Sequence, residues 1–262
     1  MSKIPCTIAI LTKDNEATIG QAIESANAFD ECLICDGGSS DRTHDIARAS
    51  LARIIDQDSR FKDATGRISD FSGVHNQMLE ASTHDWHFYL DSDELMTPEL
   101  VEEIRSIVSA NKPGAWWVNR KYSLEGETVM CAATYPTRQM RFFHKSAVTG
   151  FIKPIHERIN PKPDASIGTT RNFMLVPVSP DPKVWREKWQ HYIALEVARR
   201  GTISFWDWVR VCMENAKVSL LYGFRLVRNA FFCGGARMPF ALEWERHVYH
   251  WNLCKALWKG RS

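Results

Sequence analysis

The chain has no run of about 18 consecutive apolar residues, the length a membrane-crossing helix needs, so a helical membrane span is excluded as the basis of its function. It has neither a G-x-x-x-x-G-K-[ST] loop nor a G-x-G-x-x-G turn, which removes the P-loop and the dinucleotide fingerprint. No second cysteine pair or histidine pair completes a zinc set with Cys32 and Cys35, and Cys32-Leu33-Ile34-Cys35 reads as a buried strand rather than a redox helix start. Internal repeats and low-complexity tracts are missing. The opening Met1-Ser2-Lys3-Ile4-Pro5 has no signal-peptide pattern and runs into a strand-like segment. The seven cysteines, set mostly in apolar runs, read as reduced, buried thiols of a cytosolic protein.

What is present suits a globular chain: 262 residues, 44% hydrophobic and 24% charged, enough for one α/β domain with an extension. The formal charge of +2 conceals an asymmetry. Residues 1–182 hold 19 Lys/Arg against 25 Asp/Glu, whereas residues 183–262 hold 14 against 6, a net of +8. Seven of the ten tryptophans also fall after residue 182. A division at 182/183 follows, into an α/β domain (1–182) and a helical, basic, Trp-rich extension (183–262).

The first part alternates. Strand-like runs at Thr7–Leu11, Glu31–Cys35, Arg53–Asp56 and Trp86–Leu90 are separated by helical patterns at Asn15–Ala28, Asp41–Leu51 and Asp70–Ala81. Thr97-Pro98-Glu99 is a helix start, with a capping hydroxyl, proline in the first turn and an acid near the positive end of the dipole. Such alternation predicts a mostly parallel sheet flanked by helices, which binds ligands at the carboxyl ends of its strands. After Pro113 the β-like runs Ala115–Lys121, Thr128–Ala132 and Met140–His144 follow one another through turns, predicting a small antiparallel addition. Prolines 154, 161, 163, 177, 180 and 182 mark loop and linker, and helical signal returns over Val184–Ala198 and Ile203–Phe232.

Three polar clusters fall at predicted strand ends: Thr12–Glu16, Asp36–Asp41 and Asp91–Glu94. In extended chain, Asp91 and Asp93 point to one side, and paired carboxylates beside an apolar strand are costly unless a cation lies between them. Mg²⁺ or Mn²⁺ fits, because it takes few protein carboxylates and completes its shell with water and phosphate oxygens. Taken alone, the tripeptide reads first as a solvated acidic loop capping the next helix. Asp36-Gly37-Gly38-Ser39-Ser40 offers a carboxylate suited to a ribose or base, then glycines and free amides; an ordinary strand-to-helix turn has the same composition.

The order TIAILTKDNEATIGQAIES, LICDGGSSDRT, HNQMLEAS and FYLDSDELMTPEL resembles family 2 glycosyltransferases, and Tyr135–Phe143 followed by Ile155-His156-Glu157 is similar to the branch that includes lipopolysaccharide-core β-glucosyltransferases. The resemblance implies a GT-A fold and inverting transfer of a sugar from a nucleotide-diphosphate donor, a UDP-sugar, to a glycan or lipid-linked acceptor. It implies that Thr12, Asn15 and Glu16 line the nucleotide pocket, that Asp36 contacts uracil or ribose, and that Asn76 holds the nucleotide or its loop. Asp93 would bind Mg²⁺ or Mn²⁺, with Asp91 assisting the metal or the ribose and His156 a further metal or phosphate ligand or a residue orienting Glu157. Arg138 and Arg141 would neutralise phosphate charge, and Glu157 would be the base. His75 stands where the family commonly has Arg, and Ser92 where it often has Ala; Arg60, Lys62 and Arg67 are a loop that compensates for the first change or lies apart. For His156-Glu157 the plain alternative is a salt-bridged loop.

The extension reads in two ways. Ile203–Phe232 is either an amphipathic helix in a membrane interface, bringing a cytoplasmic enzyme to the inner face of the membrane, or a cover for the core with its cations in solvent. Nucleic acid is not expected, since the first part is acidic and no binding module occurs. Two rival functions remain: a sugar nucleotidyltransferase, which would need a glycine-rich Lys/Arg loop where Thr12–Glu16 has no glycine, and a non-catalytic nucleotide- or glycan-binding relative.

Overall fold

A computed structural model describes residues 2–154 and 157–259. In chain order the strands and helices are β1 (Ile4–Thr12), α1 (Ile19–Ser25), β2 (Phe29–Asp36), α2 (Thr43–Ala49), β3 (Arg53–Asp56), α3 (Phe71–Ala81), β4 (Trp86–Asp91), β5 (Leu95–Met96), α4 (Pro98–Ala110), β6 (Ala115–Leu124), β7 (Glu127–Thr128), β8 (Thr137–His144), β9 (Val148–Ile152), β10 (Arg158–Pro161), β11 (Ile167–Val178), α5 (Pro182–Arg200), α6 (Phe205–Phe232) and α7 (Phe240–Lys259). The chain divides into two compact units, one of Met1–Arg120 with Pro136–Val176 and the other of Lys121–Tyr135 with Pro177–Ser262.

In the first unit β1 is buried on both faces because it carries apolar residues at successive positions, as central parallel strands do. Ile8 and Ile10 join Phe88 and Leu90 beneath α1 and α4, while Ala9 meets Leu33, Val74 and Met78 on the α3 side. Strands β3, β2, β1 and β4 are parallel neighbours, and β8, β6, β11 and β5 continue the sheet with antiparallel pairings at β4–β8, β8–β6 and β11–β5. β9 and β10 form a separate antiparallel pair. The α/β class, the parallel run β3-β2-β1-β4 and the antiparallel addition beside it are those the alternation predicts. Thr97 caps α4 through the Leu100 amide, as its sequence position requires.

Several elements differ from expectation. The α1 helix begins at Ile19 rather than Asn15, because residues 14–16 are engaged by the loop after β2. The proline-marked stretch contains β10 and the twelve-residue β11, whose prolines stand at the ends or beside them. The run Thr128–Ala132 keeps only Thr128 in a strand. Its far end is held instead by Arg225 and Ala236–Met238, whose groups bond the backbone of residues 130–133.

The second unit is α5, α6 and α7 with residues 121–135. Trp185, Met238 and Leu242 pack with Val129 and Ala132, and Val211, Leu253 and Leu257 pack α6 on α7. Arg246, largely shielded from solvent, lies 5.0–5.8 Å from the centres of the Tyr122, Trp185 and Trp189 rings and pairs with Glu243 at 3.3 Å. Two of the expected thiols are not free: Cys131 and Cys233 form a disulfide across 102 residues. Nothing in local spacing signals such a pair, since the fold alone brings the two together. A disulfide persists in oxidising surroundings, so this bond runs against a simple reduced-cytosol reading.

Candidate active site at the carboxyl edge of the sheet

Register alone brings acids to one edge. Thr12 pairs with Asp36, Asp36 with Asp56, and Leu11 with Asp91, so β1 to β4 end side by side in polar residues. The loops that follow β1 and β2 are stitched to each other. Asp14 accepts from the Ser40 amide at 2.7 Å and Glu16 from the Arg42 amide at 3.1 Å. In return Ser39, Thr43 and Asp41 accept from the amides of Asp14, Asn15 and Glu16 at 2.9, 2.7 and 2.9 Å. Asp14 adopts a left-handed backbone (φ 52°) to make this exchange.

Thr12 is buried and accepts from the Asn15 amide group at 3.2 Å. Asp36 is also buried, and its carboxylate closes its own turn by accepting from Gly38 N, Ser39 N and the Ser39 hydroxyl at 3.1, 2.9 and 2.5 Å. The Asp36 turn is thus rigid before any ligand arrives. Of the three cations in the 60–67 loop, Lys62 reaches this turn, donating to the Gly37 carbonyl at 3.2 Å, while Arg60 pairs with Asp58.

At β4 the chain does not stay extended. The Glu94 amide bonds the Asp91 carbonyl at 3.0 Å, closing a tight turn over Ser92-Asp93. The alternation argument for Asp91 and Asp93 therefore does not hold, because the strand stops at Asp91. Asp91 has a half-exposed side chain (47%) and Asp93 is exposed, whereas Glu94 turns inward (1%). Arg141 lies beneath them at 2% exposure, donating to Asp91 at 2.8 Å and lying 3.1 Å from Glu94, with its guanidinium 4.1 Å from the Tyr89 ring centre. Arg120 bonds the other side of Glu94.

Arg141 therefore does not face solvent as a free phosphate ligand would. Its charge orients Asp91 from below, which is the correction the structure makes to its expected place. Burial works to raise the Asp91 carboxyl, and the charge and hydrogen bond of Arg141, with Arg120 behind, overcome it and bring the group down to about 2. Burial pushes Glu94 up, with Asp91 adding to the effect against the two arginines. Two neighbouring carboxylates are thus driven apart, Asp91 toward permanent charge and Glu94 toward its protonated form.

The other wall comes from α3 and β9. Asn76 donates to the Phe151 carbonyl at 2.9 Å and accepts from its amide at 2.7 Å, so it clamps β9. Gly150 makes that approach possible: it has φ 113°, and a Cβ there would stand 2.6 Å from the Asn76 oxygen. From β9 the chain runs to Glu157, whose carboxylate lies 3.8 Å from His75 Nε2. His75 is stacked on Phe151 at 4.8 Å and is buried, which brings its imidazole down to about 4 with Asp91 opposing the shift, so it is neutral at ordinary pH. His156 lies outside the described residues. Arg138 is exposed, 5.8 Å from the Trp117 ring centre.

Which groups could hold a divalent cation depends on what their side chains already do. Among the described residues no three His, Cys, Asp or Glu side chains converge on one point, and Glu94 is consumed by two arginines. Asp91 and Asp93 remain, a half-exposed and an exposed carboxylate in one turn. Two such ligands suit Mg²⁺ or Mn²⁺, which take a few carboxylates and draw the rest of the shell from water and phosphate. Arg120 and Tyr89 carry no signal in the sequence, and Glu94 and His75 stand out there only as the end of a polar cluster and as a departure from the family pattern. Glu94 meets Arg120 and Arg141 only 26 and 47 residues further on, beyond any sequence pattern.

A sheet whose parallel strands end in acids, with a Gly-Gly turn beside them, is an α/β fold with a candidate ligand site at its carboxyl edge. The chain belongs to glycosyl transferase family 2, whose family model matches residues 7–156. It is 32% identical over 103 residues to an uncharacterized glycosyltransferase of Rickettsia typhi, covering 39% of this chain and 32% of that one. It is 25% identical over 190 residues to the lipopolysaccharide core biosynthesis glycosyltransferase LpsC of Rhizobium meliloti, covering 71% and 68%. A solved structure of glucosyl-3-phosphoglycerate synthase from Mycobacterium tuberculosis, with Mn²⁺, UDP and glucosyl-3-phosphoglycerate, matches at 22% identity over 45% of this chain and 44% of that one, TM-score 0.36. The chain spans 32% of the length of the rickettsial relative and 35% of a TPR repeat-containing protein of Synechococcus elongatus that it also matches.

Proposed function

We propose that the chain transfers a sugar from a nucleoside diphosphate donor, a UDP-sugar, to a hydroxyl of a glycan or lipid-linked acceptor, with inversion at the anomeric carbon. The observation that carries this reading is the single sheet edge at which a charged Asp91, an exposed Asp93 and a rigid Asp36 turn stand together in a chain of this family. Thr12, Asn15, Glu16 and Asp36 belong to the nucleotide pocket in this reading, and Asn76 serves it by holding β9. Arg138, exposed and forked, receives phosphate charge.

Glu157 accepts the proton of the acceptor hydroxyl as its oxygen bonds to the anomeric carbon. The bond from that carbon to the diphosphate oxygen breaks on the opposite face, and its electron pair leaves with the diphosphate. Asp93, with Asp91, would hold Mg²⁺ or Mn²⁺, and His156 is a further candidate ligand or orients Glu157; bound there, the cation supplies Lewis-acid stabilisation of the leaving diphosphate. LpsC is named for lipopolysaccharide core biosynthesis, which supports a lipid-linked saccharide as the acceptor class.

Asp93→Ala is expected to abolish metal-stimulated transfer and donor hydrolysis while leaving the melting temperature within about 2 °C, because the side chain is exposed. Full activity in that variant would overturn the metal assignment. The reaction is proposed for the cytoplasmic side, at the inner face of a membrane. That location requires Cys131 and Cys233 to be thiols in the cell: rapid alkylation in fresh lysate should label both, and protection of the pair would contradict it.

A further inference from the structure

The second unit turns an apolar surface outward that its own core does not use. Along α6, Trp206, Met213, Leu220, Phe224, Val227 and Phe231 are all exposed, Trp206 by 76%, Phe224 by 69% and Phe231 by 78%. Their spacing of seven, seven, four, three and four residues returns to one side of a 3.6-residue helix, so they form one stripe. From Trp206 to Phe231 the stripe is about 38 Å long, on a helix of 28 residues. The inner side of α6 is already occupied, with Val211 set against Leu253 and Leu257. On α7 the pattern recurs: Phe240, Trp244, Trp251 and Trp258 are exposed at steps of four, seven and seven, opposite the buried Leu242, Leu253 and Leu257.

Cations accompany both stripes. Arg210, Lys217 and Arg228 are exposed and each follows a stripe residue by four, which sets them along one border of the α6 face. Arg210 also pairs with Asp207 at 2.9 Å, and Arg228 bonds Asn229, yet both keep their charge outward. On α7, Lys255 lies 5.1 Å from the Trp251 ring centre. No helix among the described residues is long and apolar enough to cross a membrane.

We infer that this face docks on the surface of an anionic lipid bilayer, with α6 lying in the plane of the interface. Indole and phenyl rings on a bordered stripe suit the boundary between headgroups and acyl chains, and flanking Lys and Arg reach lipid phosphates. Charge decides between this occupant and a second copy of the chain. Residues 183–262 carry a net of +8, so two such faces repel each other and an anionic surface attracts either. The docking does not depend on the transfer chemistry, and Glu157→Gln is expected to bind vesicles as the unaltered chain does.

The test is flotation of the full chain with vesicles of phosphatidylglycerol and phosphatidylethanolamine, against vesicles of phosphatidylcholine, at low and high sodium chloride. Binding is expected to the anionic vesicles only, weakened about tenfold or more by high salt. Phe224→Glu with Phe231→Glu should reduce it about tenfold or more with an unchanged melting curve, since both rings are exposed. If that pair disturbs folding, Lys217→Glu with Arg228→Glu, both on the surface, should weaken binding to a similar degree. The proposal fails if the unaltered chain floats with neither vesicle or with both equally, or if the folded variants bind as it does. It also fails if sedimentation shows a dimer that the Phe224/Phe231 pair dissolves.

Discussion

Glu157→Gln is expected to lower the turnover of sugar transfer by about 10²- to 10⁴-fold, the range a positioned general base contributes, with donor affinity unchanged within about twofold. The side chain is 24% exposed and stands beside a neutral His75. Glutamine keeps its size and can still accept a hydrogen bond, but it cannot take a proton. Rate and donor affinity are therefore measured separately, by initial rates with saturating donor and by calorimetric titration of UDP. Equal losses in both would mean that Glu157 shapes the pocket rather than serving as the base. A normal rate would remove it from the chemistry.

Arg141→Met is expected to cost roughly 1–3 kcal/mol of folding stability, because it leaves the buried Glu94 to Arg120 alone and deprives Asp91 of its cation. Methionine fills much of the volume beside Tyr89, so the loss reports charge more than packing. Adding Glu94→Gln should recover part of the cost; a double variant no more stable than the single one would show that the two do not act as a pair. The pH dependence follows from Asp91. Its carboxyl is held at about 2 when folded, below the ordinary carboxylate value near 4. That stabilisation is present above the unfolded value and is lost as pH falls toward 2. Without Arg141 the Asp91 carboxyl rises, and acid unfolding should move to higher pH. Denaturant titrations from pH 7 to pH 2 check the sign, and an unmoved acid limb would exclude Arg141 as the source of the shift.

Much of the first unit was legible because its signals are local. Alternating apolar strands and amphipathic helices gave β1 to β4 and their order, and Thr97-Pro98-Glu99 gave the start of α4. The motif order also pointed to the family that residues 7–156 match. What escaped had no local signal. The stretch holding β11 reads as linker because its prolines stand out more than its alternation. The α7 helix shows no single apolar face in sequence, since leucines bury one side while Trp244, Trp251 and Trp258 occupy the other.

The site divides in the same way. Asp36 and Asp91 were visible as acids at strand ends, and strand order placed them on one edge. The amino-acid sequence thus determined which elements form and which polar residues end them, since both follow from periodicity and caps within a few residues. The tertiary structure alone decided the partner of each group: Arg141 beneath Asp91, Glu94 turned inward to the arginines, His75 against Glu157, Cys131 bonded to Cys233. Those pairings join residues tens of positions apart, so only the packed chain brings them together, and a polar or charged group removed from water must find its partner there.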